Sequence, residues 1–164
     1  MNVRLAFFGL LAAPCAALGF DANGVKLGAN EAAVKAAFPE AHCKPLEWKS
    51  DAADRRCDNS RITFAGIPAR ITFYLKGGTV QAFDVRFQTA DVASVAAKLK
   101  SRFGKPAFEG RETIRRRDRT AQEVYRMRWR GDKDSATFSA RAGERRSEFL
   151  VWRGNFDVEI YRVK

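Results

Sequence analysis

Two blocks of alternating apolar and polar residues, each preceded by a helical pattern, constrain the fold of this chain more than any other feature. In the first block, residues 61–65, 69–75 and 80–87 place one apolar set on a single strand face: Ile62, Phe64, Ile71, Phe73, Leu75, Phe83, Val85 and Phe87. The sequence KGGT supplies a turn that makes the last two segments an antiparallel hairpin. In the second block, strand patterns separated by turns run from Arg111 to the end, which predicts a meander of four or five strands.

A short helix is predicted before each block. The first begins at the N-cap Asn30 and ends before Pro39. The second begins at the N-cap Asp91 and ends at Gly104, and its apolar residues recur at helical spacing: Val92, Val95, Ala96, Leu99 and Phe103. The sequence therefore predicts an α+β fold in which two helices pack on an antiparallel β-meander sheet.

The two blocks also share a weak sequence echo. The segment VKAAFP at 34–39 is followed 65 residues later by LKSRFG at 99–104. We therefore predict a single domain over residues 20–164 that contains two helix-plus-meander sub-units, 20–88 and 89–164. The alternative is that the shared chemistry of helix ends produces the echo without any duplication.

The first 19 residues have the layout of a secretory signal peptide. One positive charge, Arg4, precedes an uncharged apolar run over residues 5–17, and small residues follow. The run is too short for a spanning helix, so we predict cleavage after Gly19 and a periplasmic or secreted protein. The alternative, a lipoprotein anchored through Cys15, is disfavoured because Pro14 occupies a position where a small flexible residue is preferred.

Export determines how Cys43 and Cys57 are interpreted. An oxidising compartment allows these two thiols to form a structural disulfide, which stabilises a fold by about 3 kcal/mol for a loop of this length. A zinc site needs about four ligands, but His42 is the only histidine in the chain. A redox dithiol is expected as C-x-x-C, which these residues do not form. We therefore predict a disulfide, with no metal site and no cofactor.

The chain is strongly basic, with a formal net charge of +11. Residues 20–100 carry +3 and residues 101–164 carry +7, so the C-terminal part is the more electropositive. In an exported protein this charge favours lipopolysaccharide, anionic phospholipid head groups or acidic protein surfaces rather than nucleic acid. A role in solubility alone is the alternative.

The basic residues of the second block form two candidate binding sets. In EVYRMRWR, strand alternation places Tyr125, Met127 and Trp129 on one face and the arginine row, Arg126, Arg128 and Arg130, on the other. Guanidinium groups bind phosphate and carboxylate bidentately. A second basic cluster is expected at the tip of a hairpin: Arg115, Arg116, Arg117 and Arg119. The competing hypothesis is that Asp157 and Glu159, on the predicted last strand, neutralise the row.

A catalytic constellation is not evident in the sequence. A nucleophilic triad needs a histidine base, and His42 lies beside a cysteine assigned to the disulfide. The acidic residues lie mostly beside lysine or arginine, as in SDAADRRCD, which is typical of a solvated surface. The sequence therefore favours a non-catalytic protein, with an uncharacterised hydrolase as the minor alternative.

The segments GVKLGANEAAVKAAFP (24–39) and LKSRFGKP (99–106) resemble small exported bacterial modules. These are the outer-membrane-assembly lipoproteins of the SmpA/OmlA type and the tandem modules of the beta-lactamase inhibitor protein. The resemblance covers residues 24–107 and implies an α+β layer whose sheet binds a protein, without cofactor or catalysis. We therefore expect an envelope module that binds another protein. The alternative is peripheral binding of an anionic polymer or lipid head group through the arginine row and the hairpin tip.

Overall fold

A computed structural model describes residues 19–115 and 121–162 of the chain. The predicted signal peptide, including Cys15, lies outside these residues except for Gly19. Three residues of the predicted hairpin tip, Arg116, Arg117 and Arg119, also lie outside them.

The two halves of the chain have the same order of elements, a helix followed by four strands. The first half contains β1 (Asp21–Ala22), β2 (Val25–Lys26), α1 (Glu31–Ala37), β3 (His42–Pro45), β4 (Arg55–Phe64), β5 (Ile67–Lys76) and β6 (Thr79–Gln88). After one 3₁₀ turn, the second half contains α2 (Val92–Phe103), β7 (Phe108–Ile114), β8 (Gln122–Arg130), β9 (Asp134–Arg141), β10 (Arg146–Arg153) and α3 (Phe156–Glu159).

The strands β3 to β10 form one antiparallel sheet in the order β3-β4-β5-β6-β10-β9-β8-β7. Each half contributes a four-stranded meander, and the two meanders meet at their last strands. At this seam Asp84 lies opposite Leu150 and Arg86 lies opposite Glu148. The strands β1 and β2 form a separate small hairpin. Whether the repeated order reflects a duplication stays a prediction.

The main hydrophobic core lies between the sheet and the two predicted helices. Phe149 on β10 is fully buried at its centre, and its ring packs against four others: Phe64, Phe83, Phe103 and Trp129. The helix α1 contributes Val34, and α2 contributes Val95 and Leu99. We call this side of the sheet the covered face.

The helix ends largely follow the sequence signals. The Asn30 side chain accepts a hydrogen bond from the Ala33 N–H at 2.8 Å, which confirms this N-cap. Asp91 occupies the N-cap position of α2, but its side chain makes no capping bond because a 3₁₀ turn precedes the helix. Gly104 ends α2 with φ of +77°, a conformation that glycine adopts without steric cost.

The predicted disulfide is present. Cys43 on β3 lies directly opposite Cys57 on β4, and their sulfurs are 2.01 Å apart. The bond fastens the short edge strand β3 to the rest of the sheet and is compatible with an oxidising, extracellular compartment. Among the helices of the described ranges, none has the length and apolarity needed to cross a membrane.

The α+β expectation is met only in part, because the fold is mostly antiparallel sheet with short helices. Between the two cysteines, residues 51, 52 and 54 form bends, and β4 begins at Arg55. This strand is irregular between Asn59 and Ile62, where the register with β5 shifts. The irregularity interrupts the alternation on which a strand prediction depends.

The predicted last strand is instead the helix α3. Phe156 and Ile160, four positions apart, are both buried, whereas Val158 between them is 66% exposed. A strand would have placed all three on one face. The helix packs on the second face of the sheet, where Phe156 and Ile160 form a small core with Tyr74 and Ala82.

Candidate anion-binding groove

The side of the sheet opposite α1 and α2, which we call the open face, carries the arginine row. On β8, Met127 and Trp129 point into the main core, as the alternation predicts. The arginine row therefore projects from the open face. The antiparallel registers place three hydroxyl residues of β9 beside it on the same face: Ser139 opposite Arg126, Thr137 opposite Arg128 and Ser135 opposite Arg130.

These side chains form a groove with a volume of about 590 Å³. Its floor consists of the short hydroxyl side chains of β9, since serine and threonine rise little above the sheet. One wall is the arginine row, and the other is formed by Glu148, Leu150 and Trp152 on β10. The groove therefore offers guanidinium and hydroxyl donors along one line.

Glu112 on β7 neutralises part of the arginine row. Its carboxylate accepts from Arg126 Nη1 at 2.6 Å and from Arg128 Nη2 at 2.9 and 3.0 Å. The Arg128 guanidinium also lies 4.9 Å from the centre of the Phe108 ring. One carboxylate thus serves two guanidinium groups; the other two carboxylates of the groove, Glu148 and Asp157, line it without an ion pair to the row among the described residues.

Asp157 and Glu159 do not neutralise the row in the way the sequence suggested. Both lie on α3 rather than on a paired strand. Asp157 is exposed and lines the groove, and within the described ranges neither carboxylate forms an ion pair with the row. The strand prediction for FDVEIY was wrong because the spacing of its apolar residues fits a helix as well as a strand.

Arg130 is the most available member of the row. It is exposed at the end of β8 and has no ion-pair partner among the residues that the structure describes. Arg115, the first residue of the predicted tip, is exposed just after β7. The placement of Arg116, Arg117 and Arg119 lies outside the described residues, so their role stays a prediction.

The positive charge continues along the open face. A smaller cavity of about 190 Å³ is lined by Arg70, Arg86, Arg141 and Arg146, among others. Burial, followed by the positive charges of Arg146 and Arg86, lowers the pKa of Arg70. Arg70 lies directly opposite Arg86, so these two like charges are neighbours on the open face.

Comparisons with protein-family models, curated proteins and solved structures find no match to this chain. The resemblance to exported assembly and inhibitor modules therefore stays a prediction.

His42 and the two disulfide cysteines lie apart from the groove. His42 is exposed on the edge strand β3, across from Asp58, at the opposite end of the strand order from β8. Glu31, Cys43 and Cys57 bring possible metal-ligand atoms within 4.8 Å of one another. Because the two sulfurs form the disulfide, they cannot act as thiolate ligands.

Sequence reasoning missed two parts of the groove, its floor and Glu112. Ser135, Thr137 and Ser139 alternate along β9 and were readable as one face of a strand. The contact of Glu112 with two arginines depends on the register of β7 against β8, which the composition of the two strands does not reveal. A strand's pairing partner is set by tertiary structure more than by its own residues.

Proposed function

We propose that this protein is a non-catalytic binding module of the cell envelope whose groove binds the phosphate groups of an anionic polymer or lipid. The observation that carries the proposal is the position of Arg130 and Arg128 beside the hydroxyl floor of β9. Arg130 has no acidic partner in the described part of the chain, and Arg128 shares its only carboxylate with Arg126.

The chemistry of the groove suits phosphate better than an apolar ligand. Guanidinium groups form two parallel hydrogen bonds with a phosphate, and hydroxyl groups add further donors. The open face is also short of exposed apolar surface, since the described ranges contain only two large exposed hydrophobic residues, Val158 and Tyr161. Both belong to α3 and its end rather than to the groove.

Export to the envelope is part of the same proposal. The predicted signal peptide and the disulfide support it, since both belong to proteins that mature outside the cytosol. The phosphate groups that such a protein meets are those of phospholipids and lipopolysaccharide.

The test compares binding of the protein to three surfaces. Vesicles of phosphatidylglycerol and phosphatidylcholine, micelles of lipopolysaccharide, and vesicles of phosphatidylcholine alone distinguish the sources of phosphate. We expect binding to at least one of the two anionic surfaces and none to phosphatidylcholine. Affinity should fall steeply between about 50 and 200 mM salt, by analogy with counterion release from other polyanions.

Matched variants localise the binding. The test variant Arg128→Ala/Arg130→Ala removes two positive charges from the groove, and we expect at least a ten-fold loss of affinity. The control Lys105→Ala/Arg111→Ala also removes two positive charges but lies outside the groove, because Arg111 faces away from the open side. Equal losses in both variants would show that net charge alone drives binding and would contradict the proposal.

A second candidate is binding to another protein, which the resemblance implies. The observation that favours it is the exposure of Val158 (66%) and Tyr161 (65%), on α3 and just after it. Exposed aromatic and aliphatic side chains are typical anchors of protein interfaces, and the basic chain suits an acidic partner. In a pull-down from envelope extract, Val158→Ala/Tyr161→Ala should then lose the partner, and salt should weaken the contact only modestly. Retention of the same partners by this variant would exclude the second candidate.

A further inference from the structure

A third cavity lies between α3 and the sheet; it shares Glu148, Leu150 and Asp157 with the arginine groove but contains no member of the arginine row. Its volume is about 280 Å³. The side toward α3 is mostly apolar and includes Phe156 and Ile160, whereas the side toward the sheet carries Asp84, Arg86 and Glu148. Cavities with an apolar wall and a few convergent polar groups are the usual form of small-molecule sites.

Asp84 is the unusual residue of this cavity. Its side chain is only 8% exposed, which is rare for a carboxylate that is not fully paired. One oxygen, Oδ2, accepts from Arg86 Nε at 2.7 Å. The other, Oδ1, is buried and has no hydrogen-bond partner in the described part of the protein. A buried acceptor without a donor is costly, so it indicates a group that supplies one.

Glu148 adds a second acceptor to the same cavity. It projects from β10 opposite Arg86 and forms no ion pair within 4 Å among the described residues. Its charge is close enough to help raise the pKa of Asp84. The carboxylates that line the cavity, Asp84, Glu148 and Asp157, outnumber its guanidinium groups, Arg86 and Arg141. Its charge balance is therefore the reverse of that of the arginine groove.

The apolar wall of the cavity is aromatic. The rings of Tyr74 and Phe156 lie with their centres 5.2 Å apart, and Tyr161 also lines the space. Aromatic rings attract organic cations as well as apolar groups. Two carboxylates and an aromatic wall together suit a ligand that carries a positive charge on a small apolar body.

We propose that this cavity binds the primary ammonium group of an amino-acid-sized compound, with the carboxylates of Asp84 and Glu148 as acceptors and the aromatic wall around the apolar part. Arg86 lies beside both carboxylates and can bind a carboxylate or carbonyl oxygen of the same ligand. Glu148 lines both spaces, but the proposal does not rest on the phosphate-binding function, because neither Asp84 nor Arg86 lines the arginine groove.

Three related probes test which groups the cavity recognises. Leucine amide carries the ammonium without a carboxylate, leucine carries both, and N-acetylleucine carries only the carboxylate. In isothermal titration of the whole protein at neutral pH, leucine amide and leucine should bind with dissociation constants of about 1 mM or tighter. N-acetylleucine should bind at least ten-fold more weakly than leucine amide.

Two variants and a control assign the binding to the cavity. Asp84→Asn should weaken leucine amide at least ten-fold, and Glu148→Gln should weaken it several-fold. The control Asp132→Asn, at an exposed aspartate outside the cavity, should bind as the unmodified protein does. Thermal unfolding of each variant verifies that it remains folded under the conditions of the titration.

Three results would overturn the proposal. These are no heat of binding with leucine amide up to about 10 mM, equal affinity for N-acetylleucine and leucine amide, or unchanged affinity in folded Asp84→Asn. Vesicle binding in the same variants is a separate measurement, so failure of one proposal is distinguishable from failure of the other.

Discussion

The two faces of the sheet differ in the polarity of their side chains. The covered face is a continuous aromatic and aliphatic core around Phe149, completed by α1 and α2. The open face carries arginines, hydroxyl groups and the buried Asp84, and it is covered in part by the one-turn helix α3 and by the segment around Trp48 and Ala53. Because apolar burial is concentrated on the covered face, we expect this face to supply most of the folding free energy, whereas the open face carries charges whose burial opposes folding.

The largest effect is expected from the covered face. Phe149→Ala removes a fully buried ring that contacts four others, and we expect a loss of about 3–5 kcal/mol in the free energy of unfolding. Urea denaturation measures it. The control Val158→Ala, on the exposed side of α3, should change the same quantity by less than about 0.5 kcal/mol. Similar losses in the two variants would remove the distinction between the faces.

The disulfide gives the next largest effect. The double variant Cys43→Ser/Cys57→Ser should lower the free energy of unfolding by about 3 kcal/mol, because the unfolded chain gains conformational freedom. Reduction of the unmodified protein should reproduce this loss, and reducing agent should have no effect on the variant. Vesicle binding should persist under conditions where the variant is folded, since the bond and the groove lie in opposite halves of the sheet.

Asp84 should make the free energy of unfolding depend on pH. Burial is the main reason that its pKa rises from 3.8 to about 6; Glu148 adds to the rise and Arg86 opposes it. The folded protein thus holds this proton more tightly than the unfolded chain. The stabilisation that results is complete below pH 3.8 and is lost as the pH rises through 6.

Asp84→Asn removes this titration. Relative to the unmodified protein, its free energy of unfolding should increase by on the order of 2 to 3 kcal/mol between about pH 4 and pH 7.5. Urea denaturation at the two pH values provides the measurement. In contrast, Val158→Ala, which changes no titratable group, should differ from the unmodified protein by the same amount at both pH values. A pH-independent difference for Asp84→Asn would mean that Asp84 titrates near its ordinary pKa.

Among these variants, Glu112→Gln should have the smallest effect on stability. It should also strengthen binding to anionic vesicles. Glu112→Gln removes the carboxylate shared by Arg126 and Arg128 and should cost about 1 kcal/mol of unfolding free energy. Because two guanidinium groups are released, affinity for phosphatidylglycerol vesicles should increase. Glu109→Gln, on the other face of the same strand, is the control and should leave vesicle binding unchanged. Weaker vesicle binding by Glu112→Gln would contradict an anion-binding groove.

The covered face was largely predictable from the sequence, because its signals are local. The alternation in β5, β6 and β8, the N-cap Asn30 and the glycine end of α2 each depend on residues close together in the chain. The cysteine pair required one further inference, export to an oxidising compartment.

The open face was predictable only in part, because it depends on which strands become neighbours. Strand alternation places Asp84 on the face of β6 opposite Phe83 and Val85, and its burial there requires that α3 folds back over the sheet. The six residues of FDVEIY could not decide between helix and strand, since both spacings fit them. The hydroxyl floor of the groove likewise exists only because β9 lies between β8 and β10.

The seam between β6 and β10 is the only strand pair of the eight-stranded sheet that is not made by consecutive strands, and its partners lie about 60 positions apart. Each meander can assemble from nearby residues, whereas joining them requires closing a much longer loop. We therefore expect the junction to form late in folding. If the chain were cut between β6 and α2, each fragment would present an apolar, unpaired strand edge, and the two should either reassociate or aggregate.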